Sequence, residues 1–270
     1  MLLVHSRDSG CALLCKLWIA LVLVFIYLPV LCGAVSSLSK SRYFIFPLKA
    51  YSWTWWERTF NSLEIHTLVC NSLLIAIVVT VISTLIAFGG ALAFARYSWR
   101  GKRLYQKIIL LPIFFPQPVL GLALLLWFNT LGLELSWATA AFAHLVWITP
   151  VVTLVIAIQV YGFDPTLEVA ARDLGASPWQ IFREITLPLL WPGIWSGMLF
   201  AFLLSWGNFP LSLYTTGVDN TIPKWLFSKM SAGYTPMVPA LGTMSTIAMA
   251  AIMIVGGLLV KLHHRHQGRA

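Results

Sequence analysis

Residues 71–96 read NSLLIAIVVTVISTLIAFGGALAFAR. From Asn71 to Ala95 no side chain is charged, and Leu, Ile, Val, Ala and Phe fill most positions. A helix of about 20 such residues crosses the hydrocarbon core of a bilayer, whereas a helix in water needs a polar face that this run lacks. The run stops at Arg96, and Arg100, Lys102, Arg103 and Lys107 follow. An apolar helix closed by a basic cluster is the pattern of a membrane span with its flank.

The rest of the chain has the same character. Hydrophobic residues make up 59% of its 270 positions and charged residues 10%, and the mean hydropathy is +0.82. A soluble domain of this length carries about 25% charge. Six stretches are long and apolar enough to span, at about 15–35, 66–95, 105–128, 137–161, 193–214 and 240–262. The first has the length and the Lys16 flank of a signal peptide. Pro29 inside it, and no small-residue cleavage site leading into a soluble domain, read instead as a retained span. The expected fold is an all-α integral membrane protein of six transmembrane helices, one domain over residues 1–270. No internal repeat or soluble domain is expected.

The net charge of +9 is distributed among short segments between the apolar runs. Membrane orientation explains such clusters, and nucleic-acid binding is excluded on that ground. With the N-terminus in the cytoplasm, 12 of the 18 Lys and Arg fall inside, among them Arg7, Lys16, Arg172, Arg183, Lys261, Arg265 and Arg269. The six outside are Lys40, Arg42, Lys49, Arg58, Lys224 and Lys229. Both termini are therefore expected in the cytoplasm. The outer segment 36–65 carries Tyr51, Trp53, Trp55 and Trp56, aromatic rings suited to the headgroup layer. The outer segment 215–239 is too short and too broken by Pro223, Pro236 and Pro239 to span, and reads either as a partly inserted segment or as an amphipathic loop.

Residues 163–190, FDPTLEVAARDLGASPWQIFREITLPLL, lie on the inner side between spans four and five. Asp164 and Pro165 suit the start of a short helix. Leu167, Ala170, Ala171 and Leu174 give it one apolar face, with Glu168 and Arg172 an i, i+4 pair beside it. Gly175 stands where a left-handed cap is expected. Ser177, Pro178 and Gln180 form a capping box that opens a second amphipathic helix, expected to end near Pro188. Two readings remain open on physical grounds: an element that docks in a groove of another protein, or a surface hairpin that supports its own spans.

The spacing of Ala170, Ala171 and Gly175, then Ile185, Leu187 and Pro188, resembles the EAA loop of binding-protein-dependent ABC importer permeases of the type I fold. The likeness extends to residues 71–96 and to SWGNFPLSLYTTG at 205–217, and is greatest for permeases of polyamines, opines and 2-aminoethylphosphonate. It implies that Glu168, Ala170, Ala171, Arg172 and Gly175 form an ATPase-coupling surface. The family glutamate falls at Val169 here, with Glu168 one place earlier and about 100° around the helix. The resemblance further implies a bacterial inner-membrane location, a homologous permease partner, two cytoplasmic ATPase subunits, and a periplasmic or lipid-anchored binding protein.

No phosphate-binding loop occurs, so no cofactor is expected on this chain, and ATP-Mg belongs to the partner ATPase. The spans hold no central Asp or Glu and no nucleophile–base set, which counts against a secondary transporter and against a membrane enzyme. No metal site is expected, and His263, His264 and His266 read as part of a basic flank. None of the four cysteines is expected to form a disulfide. For the translocation path, Gln117 between two prolines and Trp206, Asn208 and Phe209 around the Gly207–Pro210 weak point are the candidates. Asn208 reads either as pore lining or as a helix–helix hydrogen-bond partner, and His144 as an interface residue. An acid in span five is expected in polyamine members. Neutral Asn208 at that place points instead to an aminophosphonate-, amino-acid- or opine-like solute.

Overall fold

The computed structural model describes residues 9–41 and 48–267, with side chains given for residues 12–258 of these. Arg7, expected on an inner flank, Arg42, expected outside, and the side chains of Lys261, His263, His264, Arg265, His266 and Arg269 lie outside that description. The described residues are helical apart from turns and one isolated bridge between Ser39 and Tyr51. In chain order the helices are α1 (Ser9–Ser36), α2 (Thr54–Phe60), α3 (Leu63–Ala91), α4 (Lys102–Phe114), α5 (Gln117–Thr130), α6 (Trp137–Tyr161), α7 (Thr166–Asp173), α8 (Pro178–Ile181), α9 (Leu187–Trp206), α10 (Phe209–Thr215), α11 (Ile222–Ala232) and α12 (Met237–Gln267). Five are long and apolar enough to cross a membrane, six if the bent pair α4–α5 serves as one span. The expected six-span helical fold is therefore the one observed.

The chain divides into two compact units. One comprises α1, α2 and residues 229–248. Within it Ser52 N–H donates to the Leu38 carbonyl at 2.8 Å, and Trp56 Nε1 donates to Ser37 Oγ at 3.0 Å. Trp53 and Trp56 meet edge to face with centroids 5.4 Å apart, and the Arg58 guanidinium lies 5.0 Å from the Trp55 ring centre.

The larger unit holds residues 63–228 and the last part of α12. Its centre is the packing of α3, α6 and α9. On α3 the buried positions Leu68, Ser72, Ile75, Val79, Ser83, Ala87 and Ala91 recur every three or four residues, while Ile77, Val81, Leu85 and Ile86 face outward. The small inward residues Ser72, Ser83, Ala87 and Ala91 let neighbouring helices approach closely where no water drives them together. On α6 and α9 the inward positions include Ala140, Ala157, Gly193, Gly197 and Ala201. At Gly193 a Cβ would lie 2.5 Å from the Cβ of Gln159, so only glycine permits the crossing seen there. Buried hydroxyls along these helices donate to carbonyls of the preceding turn, as Thr80 does to Ala76 at 2.7 Å and Thr153 to Thr149 at 2.8 Å.

Two expected spans are interrupted. The stretch 105–128 divides at Phe115–Pro116 into α4 and α5, bent by 99°. Pro116 forces Phe115 into extended backbone (φ −77°, ψ 132°), and Pro118 then falls in the first turn of α5. The stretch 193–214 divides at Gly207–Asn208, where α9 ends and α10 begins. At the other end of α9 the expectation of a stop near Pro188 is corrected: the helix runs on from Pro178 to Trp206. A π-helical segment, Phe182–Thr186, precedes the proline. The widened turn contains Glu184, whose carbonyl a proline ring at 188 would strike in a regular helix.

Candidate functional site

The segment between α6 and α9 begins with Asp164, whose Oδ1 accepts from Thr166 N–H at 2.9 Å. That backbone hydrogen bond, first among the causes, holds the Asp164 carboxyl below its ordinary value. α7 closes in a Schellman turn. Ala176 N–H donates to the Ala171 carbonyl at 3.0 Å, Gly175 N–H donates to that of Arg172 at 2.9 Å, and Gly175 has φ +88°. The capping box is formed as well: Gln180 N–H donates to Ser177 Oγ at 3.3 Å, and Ser177 N–H to Gln180 Oε1 at 2.8 Å.

Leu167, Val169, Leu174 and Trp179 are 47%, 56%, 89% and 66% exposed, with Ala170, Arg172 and Gly175 also at the surface and Ala171 half-buried. Glu168 points the other way. Its Oε2 lies 2.5 Å from Arg96 Nη2, and its Oε1 accepts from Thr186 Oγ1 at 2.5 Å. Of the five residues expected on the coupling surface, the structure brings Ala170, Arg172 and Gly175 to the surface, leaves Ala171 at its edge and turns Glu168 into the chain. Val169, where the family glutamate falls, is outward. Glu168 therefore does not present its charge on the surface in that glutamate's stead.

The path candidates are distributed over two interruptions. Asn208 is buried, and its Oδ1 accepts from Leu211 N–H at 3.1 Å, which makes it the N-cap of α10. Its amide thus closes its own helix. Trp206 is half-buried and stacks on Phe202, centroids 6.0 Å apart. Phe209 meets Phe227 of α11 at 4.6 Å. Gln117, half-buried, opens α5 after the bend. One turn along, Gly121 lies against α10, where a Cβ would sit 3.2 Å from the Pro210 carbonyl. The structure thus sets the two interruptions side by side.

Polar ties that the sequence did not reveal hold this region. His144 is buried on α6, its Nδ1 2.9 Å from Ser205 Oγ on α9 and its Nε2 3.1 Å from Ser212 Oγ on α10. The imidazole straps the two sides of the break, one nitrogen donating and the other accepting. This is the interface role expected for it. Thr139 Oγ1 is 2.7 Å from the Thr215 carbonyl, and Asp219 Oδ2 accepts from Trp137 N–H at 2.9 Å at the start of α6. Lys224 Nζ donates to Thr216 Oγ1 at 2.9 Å and to the Gly217 carbonyl at 2.7 Å. Burial lowers its pKa, opposed by Asp219. The segment 215–239, left open above, contains α11, with Ile222 and Trp225 buried.

A bundle of apolar helices with an outward apolar helix–turn–helix and two adjoining interruptions is, as a class, a multi-pass membrane protein. Residues 85–270 match the family described as the binding-protein-dependent transport system inner membrane component, and the chain belongs to that family. It is similar to the spermidine/putrescine transport system permease protein PotC of Haemophilus influenzae, 32% identical over 241 residues that cover 89% of this chain and 93% of that one. It is also similar to the putrescine transport system permease protein PotI of Escherichia coli K12, 30% identical over 240 residues, 86% of this chain and 84% of that one. Among solved structures it shares its fold with a chain of a bacterial ABC transporter involved in alginate import, with TM-score 0.71, 17% identity, and coverage of 94% and 98%. The MetNI methionine ABC transporter has a chain with TM-score 0.61, 17% identity, and coverage of 75% and 99%. The protein is thus a multi-pass permease of the binding-protein-dependent ABC-importer family, similar in sequence to polyamine permeases.

Proposed function

We propose that this chain forms half of the channel of an ATP-driven importer of small polyamine-like amines, and that the 163–190 segment seats on a cytoplasmic ATPase subunit. The observation that carries the docking is the set of exposed apolar side chains Leu167, Val169, Leu174 and Trp179 around a turn closed by Gly175. Burying a leucine of this kind stabilises a contact by roughly 1.5–3 kcal/mol, whereas leaving such a face wet beside the membrane gains nothing. The orientation follows: the 163–190 segment, Arg100–Lys107 and both termini are cytoplasmic. A second permease, two ATPase subunits carrying ATP-Mg, and a binding protein complete the assembly. Hydrolysis occurs on the ATPase chains and solute passes between the permeases.

The solute class rests on the likeness to the spermidine/putrescine and putrescine permeases. The contrary expectation rests on a neutral Asn208. That residue caps α10, so its lack of charge carries no statement about the solute. The test is uptake of labelled putrescine, spermidine and 2-aminoethylphosphonate by cells carrying the whole transport system with and without this chain. Amine uptake that requires the chain supports the proposal. Chain-dependent uptake of 2-aminoethylphosphonate alone overturns the solute class and leaves the importer reading standing.

A further inference from the structure

Two long helices carry a widened turn at the end nearest α7, and both turns finish on the same carboxylate. α3 passes into the π-helical segment Leu92–Arg96, and α9 is preceded by the π-helical segment Phe182–Thr186. Arg96 and Thr186 are the last residues of these two segments, and each bonds one oxygen of Glu168. The pair is largely shielded, with side chains 14% and 17% exposed for Arg96 and Glu168, and the guanidinium lies 4.5 Å from the centre of the Phe163 ring. Phe88 of α3, one turn before its π segment, meets Phe182 at 6.2 Å, so α3 and the second segment are also in contact through their rings.

The end of the α3 segment is capped by its neighbours. Carbonyls that a regular helix end leaves without partners are engaged by side chains that follow: Ala93 by Trp99 Nε1 at 3.1 Å, Phe94 by Gln106 Nε2 at 2.9 Å, and Ala95 by Lys102 Nζ at 3.3 Å. The π turn before α9 joins two α-helical stretches and the one after α3 forms that helix's end, and such turns recur at functional sites. A hydrogen bond between ions is short and directional, so a displacement of α7 is carried rather than absorbed. One carboxylate on the segment that faces outward is therefore fastened to the joints of two membrane helices.

We propose that the Arg96–Glu168–Thr186 cluster is the linkage that passes movement of the ATPase-bound segment into α3 and α9, a positioning role that rests on the importer reading above. The test uses the whole transporter in proteoliposomes, with ATP hydrolysis and uptake of labelled putrescine measured in parallel. Arg96→Gln and Thr186→Val, the latter close to isosteric, should still assemble with the ATPase and hydrolyse ATP. Their import should fall roughly 10- to 100-fold, the range set by losing one charge-assisted hydrogen bond. The ATP consumed per solute rises accordingly, a readout that a loss of folded protein does not move. Arg96→Lys, which keeps the charge, should recover part of the import. An unchanged ATP-to-solute ratio, whether both activities fall together or neither falls, overturns the linkage. Import by the wild-type complex that needs no ATP overturns the importer reading itself.

Discussion

A Cβ built at Gly175 meets no atom within 4 Å, yet the residue sits at φ +88°. Replacing it therefore adds no clash, and the whole effect must come from the backbone. An L-residue held in the left-handed region costs about 1–2 kcal/mol, less for Asn and more for a β-branched residue. If the Schellman turn must be formed for α7 and α8 to dock, Gly175→Ala weakens the ATPase contact by about 5- to 30-fold. Gly175→Asn should lose less, and Gly175→Val should lose transport altogether. The order Gly, Asn, Ala, Val is the signature of a conformational cause, since side-chain size alone would put Ala before Asn. Co-purification of the ATPase with each variant from detergent-solubilised membranes, at equal levels of inserted permease, gives the order directly. Ala retained better than Asn, or Val indistinguishable from the wild type, would refute the reasoning.

Removing the imidazole strap in His144→Leu leaves two buried serine hydroxyls without their partner and should lower the stability of the purified protein by about 1–3 kcal/mol; an unshifted thermal transition in detergent speaks against the strap. Gly193→Ala forces a Cβ to within 2.5 Å of Gln159 and should cost about 1–3 kcal/mol by overpacking, while Gly242→Ala, with nothing within 4 Å, should be neutral in the same melt. In a background with the native cysteines changed to serine, Gly101→Cys and Ser177→Cys should resist an impermeant thiol reagent applied to intact cells, and Asn220→Cys should react. Labelling of Ser177→Cys from outside would reverse the orientation.

The spans were legible because a bilayer demands long apolar runs, and 137–161 coincides with α6. The 99° bend was not, since hydropathy counts α4 and α5 alike and only the Pro116-Gln117-Pro118 sequence hints at the break. The turn around Gly175 was readable down to its capping box because each element there is local. Pro188 misled, because the turn before it is π-helical and takes the proline ring without ending the helix. Asn208 carried its own signal: an asparagine two places before a proline suits the start of a helix, and that reading anticipates the cap better than its place in an apolar run. The partnership of Arg96 with Glu168 joins residues remote in sequence, and Arg96 alone reads as an ordinary span flank.

Docking of the 163–190 segment on an ATPase is tested most directly by site-specific cross-linking from that segment. A photoreactive residue placed at Leu174 or Trp179, the two most exposed of its apolar side chains, should form an adduct with the cognate ATPase in membranes. One placed at Leu133, in the connection between α5 and α6, should not. Adducts at Leu133 and none at Leu174 or Trp179 would contradict the docking face assigned to this protein.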